Sequence, residues 1–293
     1  VLALEHYNSA SLAQLSRAQS SVKFDIGPVE HADVPLPGER HLACVTNGLY
    51  LISDGDRRFA ILLTKGVHPI VPQLGMEVMA ADRVDAEQLC RQLTHITRQG
   101  KAFRGHTISF TKDCYGQAKV EFHRLPPIRR EELILPDAIL SRIERHTLSF
   151  NRHVEKLKAA GRHLKRGILL HGPPGTGKTL TAMYLAAQME GRTVLILTGG
   201  GMGSIETACK IARLLTPATI ILEDADLIGM EREEQSVGAN ALLFELLNQM
   251  DGLAEDADIL FILTTNRPEA LERALAARPG RIDQAIEIPP PDA

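Results

Sequence analysis

The chain has 293 residues, with 33 Lys and Arg against 36 Asp and Glu for a formal charge of -3, and 44% of its residues are hydrophobic; that length accommodates two domains, each able to bury its own core. Up to residue 125 there are 14 Lys and Arg against 13 Asp and Glu, and beyond it 19 against 23, so neither half has the basic excess of a dedicated nucleic-acid binder. Four cysteines at 44, 90, 114 and 209 form no CxxC pair and have no clustered histidine beside them, which argues against a zinc site or a disulfide framework and for buried thiols in a reducing cytosol.

No apolar run approaches the roughly 18 residues of a spanning helix, and no basic region precedes an apolar core at the N-terminus. A cytoplasmic location and no membrane partner are expected. The first residue is Val1 rather than Met, as in a fragment of a longer chain.

Residues 1–20 have helical apolar spacing at Leu2, Leu12 and Leu15 but are rich in Ser, Ala and Gln, so a frayed segment is expected. Two strands, Gly48 to Ile52 and Arg58 to Thr64, are predicted around the hairpin signal Asp54-Gly55. "MEVMA" reads as another short strand. A helix is predicted from Asp85, as N-cap, to Gln99, with Gly100 as its stop. "HTISF" and "KVEFHRL" are expected to complete a small α+β recognition domain over residues 21–125. "LPPIRREELILPD" then breaks the pattern and is read as a linker over 126–136.

From residue 137 the texture changes. Apolar runs "GILLH", "TVLILT", "TIILE", "DILFILTT" and "AIEI" alternate with helical stretches, which predicts βα units around a buried, doubly wound parallel sheet of α/β class. Ligands of such sheets sit at the carboxyl ends of the strands.

Directly after "GILLH" comes "GPPGTGKT", Gly172 to Thr179, which satisfies GxxxxGK[ST] between a strand and the helical stretch "LTAMYLAAQM". Glycines 172, 175 and 177 let successive N–H groups and a helix N-terminus face phosphates. Lys178 brings a point charge to the outer phosphates, and the Thr179 hydroxyl is a ligand for Mg²⁺. The full set expected to bind a nucleotide is Gly172, Pro173, Pro174, Gly175, Thr176, Gly177, Lys178, Thr179 and Leu180. His171, just ahead, reads as a strand-end residue.

The acidic tip of "IILEDADLI" follows in the right order, but Glu223 precedes Asp224 where such sites usually read Asp then Glu. Slipping a strand by one residue would turn every side chain to the other face, so register follows the apolar run. Glu223 is then expected at the metal and Asp224 at the attacking water. Because a misplacement of about 1 Å can cost roughly a hundredfold in rate, the swap predicts slow or partner-dependent hydrolysis. Asp226 reads equally well as a helix cap.

Asn266 in "ILFILTTNRPEAL" stands 42 residues beyond Asp224. It could hydrogen-bond the water or the γ-phosphate; taken alone it is also an ordinary turn residue. "ARPGRID" sets Arg278 and Arg281 around a Pro-Gly turn, where solvated arginines are common but a pair can also reach a neighbour's phosphates. The basic run "RHLKRG", Arg162 to Gly167, reads as a solvated face.

Taken together, "GPPGTGKT", "LEDADLI", "LLNQMDGL", "TTNRPEAL" and "ARPGRID" make residues 130–293 resemble the AAA branch of the AAA+ ATPases in order and spacing. The resemblance implies ATP with Mg²⁺ held between subunits of a ring, usually a hexamer. It implies Lys178 and Thr179 for phosphate and metal, Glu223 and Asp224 as the acidic pair, Asn266 as a polar sensor, and Arg278 and Arg281 as fingers acting in trans. Three departures stand out. The acids are reversed, as in the branch that assembles mitochondrial respiratory complexes. "LTGGGMGSIE" lacks the aromatic of protein-threading members and leaves Met202 alone to grip a client. The sequence stops at "IPPPDA", where the helical lid normally begins.

The expected function is an ATP-hydrolysing ATPase that remodels a protein or protein complex, with a client or adaptor on its N-terminal domain. An ATP-gated assembly scaffold and a nucleic-acid remodelling ATPase are the alternatives.

Overall fold

A computed structural model describes residues 3–4, 11–16, 26–27, 29–38, 40–66, 73–100, 102–112, 118–198, 205–225, 248–251, 257–268 and 282–291. Contacts divide the chain into one unit of Val1–Gly100 with Lys112–Val120 and another of Lys101–Thr111 with Glu121–Ala293.

In the first unit, β1 (Ala3–Leu4) pairs antiparallel with β2 (Ile26–Gly27), and α1 (Leu12–Ser16) lies between them in sequence. The helix is anchored, not frayed: Leu12 is buried with Leu62, and its amide donates to Glu77 Oε2 at 2.7 Å. Strands β3 (Glu30–Leu36), β4 (Arg40–Asp54), β5 (Arg57–Gly66) and β6 (Gln73–Ala80) form an antiparallel sheet in chain order. The expected hairpin is present, with Asp54 opposite Arg57 and Gly55 at φ 60°, the positive φ that a two-residue turn requires. The strand assigned to 48–52 is much longer because its first half pairs with β3 and its second half with β5.

Helix α2 (Arg83–Gln99) starts earlier than expected. Its N-cap is Asp82, whose carboxylate accepts from the Val84 amide at 2.9 Å. Asp85 instead sits in the first turn, where a negative charge suits the helix dipole.

The second unit departs from the expected grouping. β7 (Thr107–Lys112) pairs parallel with β10 (Thr193–Leu197), and β8 (Ala118–His123) lies beyond it, in a seven-stranded sheet. A parallel partner lies far away in sequence, so a local pattern cannot reveal it. The expected linker is also held in place: Ile128 and Leu133 are buried in the main core. Prolines break regular structure there without exposing these two side chains.

A 3-10 turn at Arg130–Glu132 leads to α3 (Asp137–Glu144), which continues through a π-turn at Arg145–Ser149 into α4 (Phe150–Arg152) and α5 (Val154–Ala159). Then come β9 (Arg166–His171), α6 (Lys178–Gln188), α7 (Ile205–Leu214), β11 (Ala218–Leu222), β12 (Ile259–Thr265) and β13 (Gln284–Glu287). The sheet order is β13-β9-β12-β11-β10-β7-β8, with parallel pairing from β13 through β7.

β10, β11 and β12 are buried along their whole length, which is why their sequences read as unbroken apolar runs. Ile168, Leu170, Ile262 and Ile286 pack with Leu140 and Ile143 of α3 and Leu185 of α6. At the amino-terminal edge Arg192, 3% exposed, donates to Asp258 Oδ1 at 2.7 Å, Asn151 Oδ1 at 3.0 Å and Thr219 Oγ1 at 3.1 Å.

Candidate functional site

The site is built at the opposite edge. Parallel register sets Leu222 beside Leu263 and Thr265 beside His171, so the residues after β9, β11 and β12 leave the sheet side by side. β9 is the pivot of the order, with β10, β11 and β12, which follow it, to one side and β13 to the other, a topological switch point.

The loop after β9 turns through Gly172 at φ 148°, Gly175 at 79° and Gly177 at 88°. Gly172 has a second constraint. A Cβ there would lie 2.3 Å from the carbonyl oxygen of Ile288, whose amide donates to the His171 carbonyl at 2.7 Å. Gly177 is the left-handed N-cap of α6, and the N-terminus of that helix is its anion-binding end.

Lys178 is 6% exposed and turns its ammonium into the loop, donating to the carbonyls of Gly172 at 2.8 Å and Pro173 at 2.6 Å. Thr176 donates to the Pro173 carbonyl at 3.0 Å and closes the turn. Pro173, Pro174, Gly175, Thr179 and Leu180 face solvent. A buried cation inside a curl of backbone, beside an accessible helix N-terminus, has the donor chemistry for a polyphosphate.

The two acids differ in environment. Glu223 continues the β10–β11 ladder through its amide, which donates to the Leu197 carbonyl at 3.0 Å. Its Oε1 is buried with no hydrogen-bond partner among the described residues. Burial, and then the neighbouring Asp224 charge, push its carboxyl above the usual range. An orphaned carboxylate oxygen of this kind suits a divalent cation, which would relieve both effects. Among the described residues no group of three or more His, Cys, Asp or Glu could hold a metal. Mg²⁺ does not require such a group, since it takes one or two protein ligands and completes its shell with phosphate and water.

Asp224 adopts φ 49°, the one non-glycine residue with positive φ among those described. Its amide donates to Thr264 Oγ1 at 3.0 Å, and the Ala225 amide to the Thr264 carbonyl at 2.8 Å. Asn266 Nδ2 donates to Asp224 Oδ1 at 3.3 Å. The left-handed conformation favours a short acid over a long one, so local backbone geometry accounts for Asp at the second position of the pair.

One element escaped the sequence reading. A cavity of about 160 Å³ is lined by Leu133, Ile134, Leu135, Gly175, Leu180 and Pro291, among others. The signal was present in "EELILP": Ile134 is 76% exposed, an apolar side chain left beside the phosphate loop. Thr264 was also missed, since a strand-end Thr gives no sign of holding the next strand's turn. Arg278, Arg281, Asp226 and the Gly199–Met202 stretch lie outside the described residues. Of the cysteines, Cys209 is buried while Cys44 and Cys90 are only partly so, and Cys114 is outside them.

Residues 168–290 match the family described as ATPase family associated with various cellular activities (AAA). The part of the chain that carries the site therefore matches the model of that family. Relatives include a proteasome-activating nucleotidase of Methanosphaerula palustris, 37% identical over 150 residues that make up 47% of this chain and 36% of that protein. A 26S proteasome regulatory subunit 8 homolog of Schizosaccharomyces pombe is 37% identical over 155 residues, 48% of this chain and 38% of the other. A 26S proteasome regulatory subunit 6B homolog of Dictyostelium discoideum is 36% identical over 152 residues, again 48% and 38%. The chain thus spans well under half the length of these curated relatives.

Proposed function

We propose that this chain binds Mg²⁺-ATP at the loop Gly172–Thr179, hydrolyses it, and uses the cycle to remodel a protein or protein complex within a homo-oligomeric ring, of hexameric form by family resemblance. The observation that carries the reading is the shared sheet edge, where the Lys178 loop stands beside the Glu223, Asp224 and Asn266 cluster. The apolar walls of the adjoining cavity suit a flat base.

Glu223 and Thr179 would hold Mg²⁺, which when bound neutralises charge on the outer phosphates. Lys178 and the α6 amides hold the polyphosphate and stabilise charge as the terminal phosphoryl leaves. Asp224, steadied by Asn266 and Thr264, orients the attacking water. Arg278 and Arg281 would act on a neighbouring subunit's nucleotide, a contribution of about 10³ to 10⁵ in rate for such fingers.

The names of the relatives concern the proteasome, which favours a protein client over nucleic acid. So does the basic run at 162–167: Lys165 is bonded to the Met250 carbonyl at 2.7 Å and Arg166 stacks on Phe150 at 4.2 Å. An assembly scaffold with negligible turnover is the second reading, supported by the reversed acids.

Phosphate release separates the two. Asp224→Asn is expected to lower the rate about a hundredfold while ATP still binds, and an unaltered rate would defeat the hydrolysis reading. Lys178→Ala is expected to weaken nucleotide binding about ten- to a hundredfold; full affinity would remove the cradle assignment.

A further inference from the structure

The base cavity has two walls that come from different parts of the chain. One is the segment Glu132–Leu135, entered through the 3-10 turn at Arg130; the other is the loop Gly175–Gly177 with Leu180 and Thr181 of α6. Irregular backbone such as the first wall has no ladder to hold it at a fixed distance from a helix. Its position must come from side chains.

Leu133 anchors the segment in the core, and the polar ties between its entry turn and α6 meet at Glu144, the last residue of α3. Arg130 Nε donates to both of its oxygens, at 3.2 and 3.4 Å. The Tyr184 hydroxyl donates to Oε1 at 2.7 Å. Tyr184 is 4% exposed and lies three and four residues beyond Thr181 and Leu180, so it is one helical turn below the second wall, on the same face. A second tie runs parallel, from Gln188 Nε2 to the Ile128 carbonyl at 3.4 Å.

The carboxylate is partly shielded, its side chain 22% exposed, so its contacts are worth more than those of a surface pair. Burial and the bond to Glu144 push the Tyr184 hydroxyl up to about 12, so it remains a donor at neutral pH. The π-turn begins at the next residue, Arg145. It separates the register that aims Glu144 at α6 from the one that buries Thr147, Leu148 and Phe150, an irregularity of the kind often kept for a site.

We infer that Glu144 is a positioning residue for the nucleotide base: by holding Arg130 and Tyr184 together it fixes the width of the cavity between Glu132–Leu135 and α6. This rests on the ATP reading above and assigns Glu144 and Tyr184 a part in it, although neither touches the cavity. The phosphate loop itself does not depend on the tie, because Lys178, Gly172 and Pro173 hold one another.

The test compares two probes on the purified chain by calorimetry with Mg²⁺: ATP, which needs base and phosphate sites, and inorganic tripolyphosphate, which needs the phosphate site alone. Tyr184→Phe removes one hydroxyl and keeps the ring. It is expected to raise the Kd for ATP about tenfold and leave that for tripolyphosphate unchanged. Glu144→Ala should do the same to a greater degree, and Glu144→Gln, which retains an acceptor for Tyr184, should fall between parent and Ala.

Equal weakening of both probes would reduce the tie to a general fold-stabilising role and overturn the inference, as would unchanged ATP affinity in Tyr184→Phe. A parent chain that binds tripolyphosphate as tightly as ATP would overturn it too, since no base site would then contribute. A parent that binds neither probe would bring down the nucleotide reading itself, and this inference with it.

Discussion

Gly172 is constrained twice, by φ and by Ile288. Gly172→Ala forces the loop off the carbonyl it touches, and the expected loss is about 2 to 4 kcal/mol in urea unfolding, with ATP affinity falling in parallel. Asp224 carries the sharpest contrast with the sequence reading, which took Asp at the water as a shortfall against Glu. The left-handed backbone at that position reverses the argument. Exchanging the pair back, Glu223→Asp with Asp224→Glu, is expected to cost about 1 kcal/mol in stability from the strained Glu and to give no rise in phosphate release. A faster double variant would refute this account. Glu223 provides a pH test. Its carboxyl is raised in the folded chain, so stability linked to it is present below the ordinary carboxylate value near 4.5 and is lost as pH rises through the raised value. Glu223→Gln should therefore unfold later than the parent at pH 7 and no later at pH 4. Added Mg²⁺ with nucleotide should close the gap at pH 7 by stabilising the parent more.

Among the elements, the parallel strands β9 to β12 were legible because both of their faces are buried, so the apolar run and the strand coincide, while β13 at the sheet edge buries only Ile286. The helix after the phosphate loop was equally plain, since GKT must open one. Three features were not legible, each for a different reason. Asp82 and Asp85 are both good caps, and only the hydrogen bond to Val84 decides between them. The wall Glu132–Leu135 lacks a period because it leaves a 3-10 turn without entering a helix or strand, so buried Leu133 and exposed Ile134 read together as a linker. Arg192 was unremarkable in sequence, yet it binds the starts of β11 and β12 and the end of α4 at once. Arg192→Ala is expected to cost about 2 to 4 kcal/mol in denaturant unfolding, because it strands the partly buried Asp258 carboxylate and the carbonyls beside it. Arg192→Lys should recover little, since an ammonium cannot serve so many acceptors in one plane.

At the scale of the whole molecule, the proposed reading draws phosphate, metal and water residues from the sheet edge of one protomer, and its fingers from another. Turnover should then require mixed company. Arg278→Ala with Arg281→Ala is expected to bind ATP but release little phosphate. Mixing that variant with Lys178→Ala should recover part of the rate, because the second partner lends its arginines to the first one's nucleotide. No recovery at any ratio would argue against catalysis in trans. Residues 21–125 contain no motif from which a partner could be read, and the antiparallel sheet and anchored α1 of the first unit establish a folded body.

The strand at Thr107–Lys112 has a practical side for anyone cutting this protein. It pairs with Val194 to Ile196 along the outer rim of "TVLIL", a stretch of five buried residues. A version trimmed to the boundary suggested by the prolines near 126 would uncover that rim's row of amides and carbonyls, an invitation for a second molecule to add its own strand. Such a truncation is expected to precipitate or form stacked aggregates, and one beginning at residue 101 to stay dispersed.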